Sequence, residues 1–199
     1  MTRTAPAGAA TTASRRTARE RLLAAATELF YAEGIHTVGI DRIIERAGVA
    51  KASLYNTYGS KDELVRAYLQ QRHELTSTRV AAVLERWDDP RDKLLGVFVA
   101  QGERMAEPDY HGCPFIGATA ESPAGSPARQ AADGYRGWLR GLFAELAAEL
   151  GVADADTLSR QLVMLYDGAA LAHRLDGHQG AAAAARAAAA NLLDAALPR

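Results

Sequence analysis

The chain has 199 residues, with 24% charged and 48% hydrophobic side chains and a formal net charge of −1. That length allows one large or two small domains with a real core, and the charged and apolar fractions are those of an ordinary soluble globular protein. No run approaches about 20 apolar residues without a charge, the N-terminus lacks an apolar stretch, and Cys113 is the single cysteine. These features exclude a transmembrane span, a secretory signal and an intrachain disulfide, and they fit a reducing, cytoplasmic setting.

Residues 1–14 are mostly Thr, Ala, Gly and Pro and read as a disordered tail. Thr17 and Glu20 then form a capping-box pattern. Behind it Leu22, Ala26, Leu29 and Phe30 mark one helix face, which Gly34 closes. Arg15, Arg16 and Arg19 near the start of this helix fit solvated surface charge and DNA contact equally well. Up to Lys61 the chain has nine Lys or Arg against five Asp or Glu, and the remainder is acidic. The basic charge therefore sits where phosphate attraction would need it if this part reads nucleic acid.

The stretch from Thr37 to Lys61 organises the rest. Ile40, Ile43 and Ile44 recur at helical spacing, Thr37 can cap that helix, and Asp41 suits the positive end of its dipole. Ala47-Gly48 ends it, and a second short helix follows over Lys51 to Tyr58. Two helices joined by a tight turn containing Gly form a helix-turn-helix, which lays its second helix in the DNA major groove. Lys51 is placed for a phosphate or a guanine edge, and Ala52 and Ser53 are small enough for close approach. Ser53 can bond a base or phosphate, Ala52 can meet a thymine methyl, and Asn56 is the candidate adenine reader. Tyr55, Thr57 and Tyr58 read as phosphate clamps. Leu54 faces inward.

Gly34, Thr37, Ile43, Ala47-Gly48-Val49, Leu54-Tyr55, Tyr58 and Ser60-Lys61-x-x-Leu64 together resemble the DNA-binding domain of the TetR family of transcriptional regulators. The resemblance covers about residues 16–71. It implies an all-α protein of about nine helices, with a helix-turn-helix domain over 15–62 and a C-terminal regulatory and dimerisation domain over 63–199. It also implies a phosphate contact at Lys61, operator DNA as partner, and a homodimer released from DNA by a small-molecule effector. Two departures stand out. Ala50 replaces the usual capping Ser or Thr, and Tyr58 stands where Phe is common.

Ser60 and Glu63 start a further helix that should run to about Trp87, and Asp89-Pro90 opens the next. Four of the seven prolines fall between Glu107 and Pro127, a loop with a short helix over Pro114 to Ala120. Ser126-Pro127 starts a helix that ends at Gly151. Among the aromatic residues, Phe98, Phe115, Trp138 and Tyr166 are the candidates for an apolar effector cavity, against the plainer reading that they fill the core. Leu158, Leu162, Leu165 and Ala169 form a seam, repeated by Ala185, Ala189 and Leu192 on the last helix. The two seams serve either an internal core or, as the resemblance implies for the last two helices, a four-helix dimer interface, which is the expectation taken here.

No phosphate-binding Gly loop, nucleophile elbow or zinc-type Cys/His spacing is present, so neither a cofactor nor an enzymatic activity is expected. The Gly-Cys-Pro-Phe stretch at Cys113 resembles a Gly-Cys element of one branch of TetR-like regulators. A helix beginning there would stabilise a thiolate and offer a redox sensor, against the plainer reading of an inert buried thiol. His173 faces either a cavity or an interface.

Overall fold

A computed structural model describes residues 16–177 and 180–197, so the expected tail over 1–14 and Arg15 lie outside the described residues. Among the described residues there are nine α-helices and no strand. They are α1 (Ala18–Glu33), α2 (Ile40–Ala47), α3 (Lys51–Tyr58), α4 (Lys61–Leu84) and α5 (Pro90–Met105). α6 (Pro114–Glu121), α7 (Pro127–Glu149), α8 (Ala155–Asp176) and α9 (Ala181–Ala196) follow.

Local chemistry sets most of these boundaries. Thr17 and Glu20 close a complete capping box on α1, and Ser60 accepts from the Glu63 amide to start α4. Asp89, Ser126 and Asp154 cap α5, α7 and α8 by the same side-chain device. Gly48, at φ 62° and ψ 44°, takes the left-handed conformation that lets α2 stop and turn into α3. Thr37 does not cap α2. The helix begins three residues later, behind Gly39, with no side-chain cap, and Thr37 lies exposed in the preceding turn.

The helices share two cores. In the first, Leu22, Phe30, Ile43 and Leu54 of α1–α3 pack on Leu64, Val65, Tyr68 and Leu69 of α4. Phe115 of α6 and Tyr135 of α7 belong to the same core. In the second, Val80 and Val83 of α4 join residues of α5, α7, α8 and α9. A Cβ at Gly96 would come 2.5 Å from Trp87 Cζ3, so only Gly lets α5 lie this close to the end of α4.

α4 spans about 36 Å at 1.5 Å per residue and enters both cores. Between Leu69 and Val80 it buries no residue.

The two C-terminal seams turn inward. Leu158, Leu162, Ala169, Ala185 and Ala189 are buried within the subunit's own core, and Leu165 and Leu192 pack partly buried against it. Leu158, Leu162, Ala169, Ala185 and Ala189 thus serve the internal core, while Leu165 and Leu192 keep part of their surface outside it. What α8 presents outward is a different set, Met164, Leu171 and Leu175, at 65, 42 and 77% exposure.

Candidate DNA-reading helix and regulatory cavity

α3 is held from behind. Leu54 is completely buried, and Tyr58 is 9% exposed with its hydroxyl donating to the Arg19 carbonyl at 3.0 Å. Arg19 in turn places its guanidinium over the Tyr58 ring. Arg21 of α1 donates to the Gly48 carbonyl in the turn, while Arg46 and Arg42 of α2 pair with Glu28 and Glu33 of α1. The helix-turn-helix is thus fastened to α1 by both apolar and ionic contacts.

Outward, Lys51, Ala52, Tyr55 and Asn56 are exposed, and Ser53 and Thr57 are partly so. These six share the free side of α3, where expected contacts to bases and phosphates remain open. Lys51 lies 2.9 Å from Asp41, a pair that raises the ammonium's pKa and must open or reorient if Lys51 is to meet a phosphate. Exposed pairs of this type are weak and screened by salt.

Two expected contacts are spent inside the domain. Tyr58 is a core residue bonded to α1, so it does not extend as a phosphate clamp. Lys61 donates to the Ile35 carbonyl at 2.6 Å and lies over the Phe30 ring, fixing the turn between α1 and α2.

Behind the reader, a cavity of about 250 Å³ opens where α4 carries no buried side chain. Phe115 and Tyr166 line it, as the sequence suggested. Phe98 is instead buried against Phe143 and Tyr166, and Trp138 packs on His73 and Tyr135; neither is a wall. The walls are also more polar than expected. Arg72, Arg79, Arg104 and Gln101 contribute to them, as do Glu107 and Asp109.

The residues that sequence reasoning passed over are these arginines, Gln101 and Tyr31. Tyr31 belongs to α1, yet it is a wall of the cavity. Its hydroxyl donates to the Gly112 carbonyl at 3.2 Å and accepts from the His111 amide and Arg104 Nη2, both at 3.1 Å. A second tie runs from the turn after α1 to α6, where the His36 amide donates to Glu121 Oε2 at 3.1 Å.

Cys113 also lines the cavity and stands at the N-cap of α6. The Ile116 and Phe115 amides favour its thiolate, but burial outweighs them and pushes the thiol up to about 11. His173 stacks edge-on against Tyr110, which places it beside the loop that closes the cavity. No group of three or more potential metal ligands occurs among the described residues, and no described helix is long and apolar enough to cross a membrane.

Residues 22–68 match the family model described as bacterial regulatory proteins, tetR family. The chain is 32% identical over 172 residues to the HTH-type transcriptional regulator TtgR of Pseudomonas putida, covering 75% of this chain and 81% of that one. It belongs to the TetR family of transcriptional regulators. A crystal structure of a TetR-family regulator from Streptomyces coelicolor superposes with a TM-score of 0.83 at 35% identity, over 91% of this chain and 96% of that one. The HTH-type transcriptional activator FasR of Mycolicibacterium smegmatis is 41% identical over 76 residues, 38% of this chain. That match spans only 35% of FasR. This TetR-family chain is therefore a DNA-binding regulator and not an enzyme, with α2 and α3 as its helix-turn-helix.

Proposed function

We propose that this TetR-family protein is a homodimeric repressor whose hold on operator DNA is loosened when a small molecule occupies the cavity behind α1 and α4. One observation carries the reading: Tyr31 is at once a residue of the reader's first helix and a wall of the cavity. A molecule that displaces Arg104 or the 111–112 backbone from Tyr31 acts on α1 directly, and α1 carries the helix-turn-helix. Only differential affinity for the two arrangements can drive such a shift, and couplings of about 1–3 kcal/mol correspond to roughly 5- to 150-fold in DNA affinity.

The test fills the cavity without a ligand. Ala100 is a buried wall residue, so Ala100→Phe puts a ring into the space. The reading expects a folded protein whose operator affinity falls within that roughly 5- to 150-fold range. A folded variant with unchanged affinity removes the cavity from control of DNA binding.

For the dimer, the exposed stripe of Met164, Leu171 and Leu175 on α8 supports an interface that the inward seams do not supply. Dimeric readers of this kind meet half-sites about 34 Å apart. Leu171→Glu places a charge on that stripe. It should give folded monomers by sedimentation and weak operator binding, whereas a dimer unaffected by this change places the interface elsewhere.

The redox alternative at Cys113 has less support. With its thiol pushed up to about 11, little thiolate exists near neutral pH to meet an oxidant.

A further inference from the structure

The chemistry of the cavity walls narrows what can occupy it, given the reading above that the cavity takes an effector. At about 250 Å³ it falls just below the ~300–1,000 Å³ typical of drug-sized sites, which suits a compound of one ring more than a large flat molecule.

Its charge is unbalanced. Three guanidiniums face two carboxylates. Arg104 is shared between Glu107 and Asp109, at 2.8 and 2.7 Å, and Arg79 reaches Glu107 at 3.1 Å. Both carboxylates are therefore already engaged. Arg72 makes no side-chain hydrogen bond or ion pair among the described residues. Its guanidinium lies 3.9 Å from the centre of the Tyr31 ring and leaves its edge donors free. Burial holds the Tyr110 and Tyr166 phenols above their ordinary range, so they stay neutral and do not offset the positive charge.

A second group lacks a partner. Gln101 is 5% exposed, and its Nε2 donates to the Tyr166 carbonyl at 2.7 Å. Because that partner is an acceptor, the amide orientation is fixed and Oε1 is the free end. Oε1 is buried with no hydrogen-bond partner among the described residues. A buried acceptor left this way is costly, and an occupant carrying an O–H or N–H relieves it.

We propose that the cavity takes a small single-ring monoanion bearing a hydrogen-bond donor, a hydroxylated aromatic carboxylate being the simplest case. Its carboxylate meets the free edge of Arg72, its ring lies among Val80, Ala100, Phe115 and Tyr166, and its hydroxyl donates to Gln101 Oε1. Arg72 also stacks on Tyr31, so the anion engages the same aromatic residue that ties the cavity to α1.

Calorimetry on the full-length protein tests this with four probes: 3- and 4-hydroxybenzoate, phenol and tyramine. Slowed alkylation of Cys113 provides an independent report of occupancy, since this thiol is a wall of the cavity. One of the hydroxybenzoates should bind about tenfold or more tighter than phenol, as a charge-assisted contact warrants, and tyramine should bind weakest. Arg72→Gln should erase the preference for the hydroxybenzoate over phenol, and Arg72→Lys should restore part of it. If Arg72→Gln folds poorly, the ranking of probes on the wild-type protein decides alone. Phenol or tyramine binding as tightly as both hydroxybenzoates would leave the cavity as an effector site and overturn the anionic class. No binding by any probe, with Cys113 alkylation unchanged, would overturn the anionic class, and Ala100→Phe then decides separately whether the cavity controls DNA binding.

Discussion

The reader and the cavity both pack against the long helix α4 but are built in opposite ways. α3 is one short segment whose outward residues are free and whose inward ones, Leu54 and Tyr58, are locked to α1. The cavity has no segment of its own. Its walls come from α1, α4, α5, α6, α7 and α8, and it opens beside the stretch of α4 between Leu69 and Val80 that carries no fully buried residue. A reading surface can thus be written into a few consecutive residues, whereas a cavity is written into what distant helices fail to fill.

The contrast breaks most sharply at Leu54. It makes no outward contact, yet Leu54→Ala should cost about 2–5 kcal/mol in urea unfolding, because a fully buried leucine leaves a cavity behind. DNA binding should fall with it. A loss of DNA binding at unchanged stability would mean that Leu54 touches DNA and that α3 is seated differently.

A smaller effect sharpens the division within α3 itself. Tyr58→Phe removes the bond to the Arg19 carbonyl and should cost about 0.5–1.5 kcal/mol of stability, with the salt dependence of DNA binding unchanged. Lys51→Ala should do the reverse, leaving stability nearly intact and reducing the salt slope by about one unit. A reduced slope in Tyr58→Phe would return Tyr58 to the phosphate contacts.

These positions also show how much the sequence discloses. The helix-turn-helix was legible because its signals are local: the capping box at Thr17, the left-handed Gly48, and Ile43 and Leu54 at fixed spacing. The roles of Tyr58 and Lys61 were not, since each is decided by a backbone carbonyl 39 or 26 residues away. For the same reason the seam on Leu158 and Leu162 could mean either an internal core or a dimer. The cavity did leave a trace. Arg72, Thr76 and Arg79 stand at helical spacing on α4, where a core-facing helix would carry apolar residues. Aromatic content pointed instead to Phe98 and Trp138, which packing consumes.

The smallest expected effect lies at Cys113. With the thiol pushed up to about 11, its alkylation rate should still be climbing at pH 9, and peroxide should weaken DNA binding no more in wild type than in Cys113→Ser. A rate that levels off near pH 7, with DNA binding lost only in wild type, would make the thiol the switch in place of the cavity.

The central claim is that the free face of α3 reads DNA from two symmetric copies. Selection of duplexes from a random pool by the purified protein tests it most directly, with Asn56→Ala run beside the wild type. The account predicts an enriched two-fold symmetric motif with half-sites one helical turn apart. In the variant, preference should relax at one symmetry-related pair of positions, a discrimination of about 1–3 kcal/mol at each. An enriched motif without two-fold symmetry, or one identical in the variant, would contradict it.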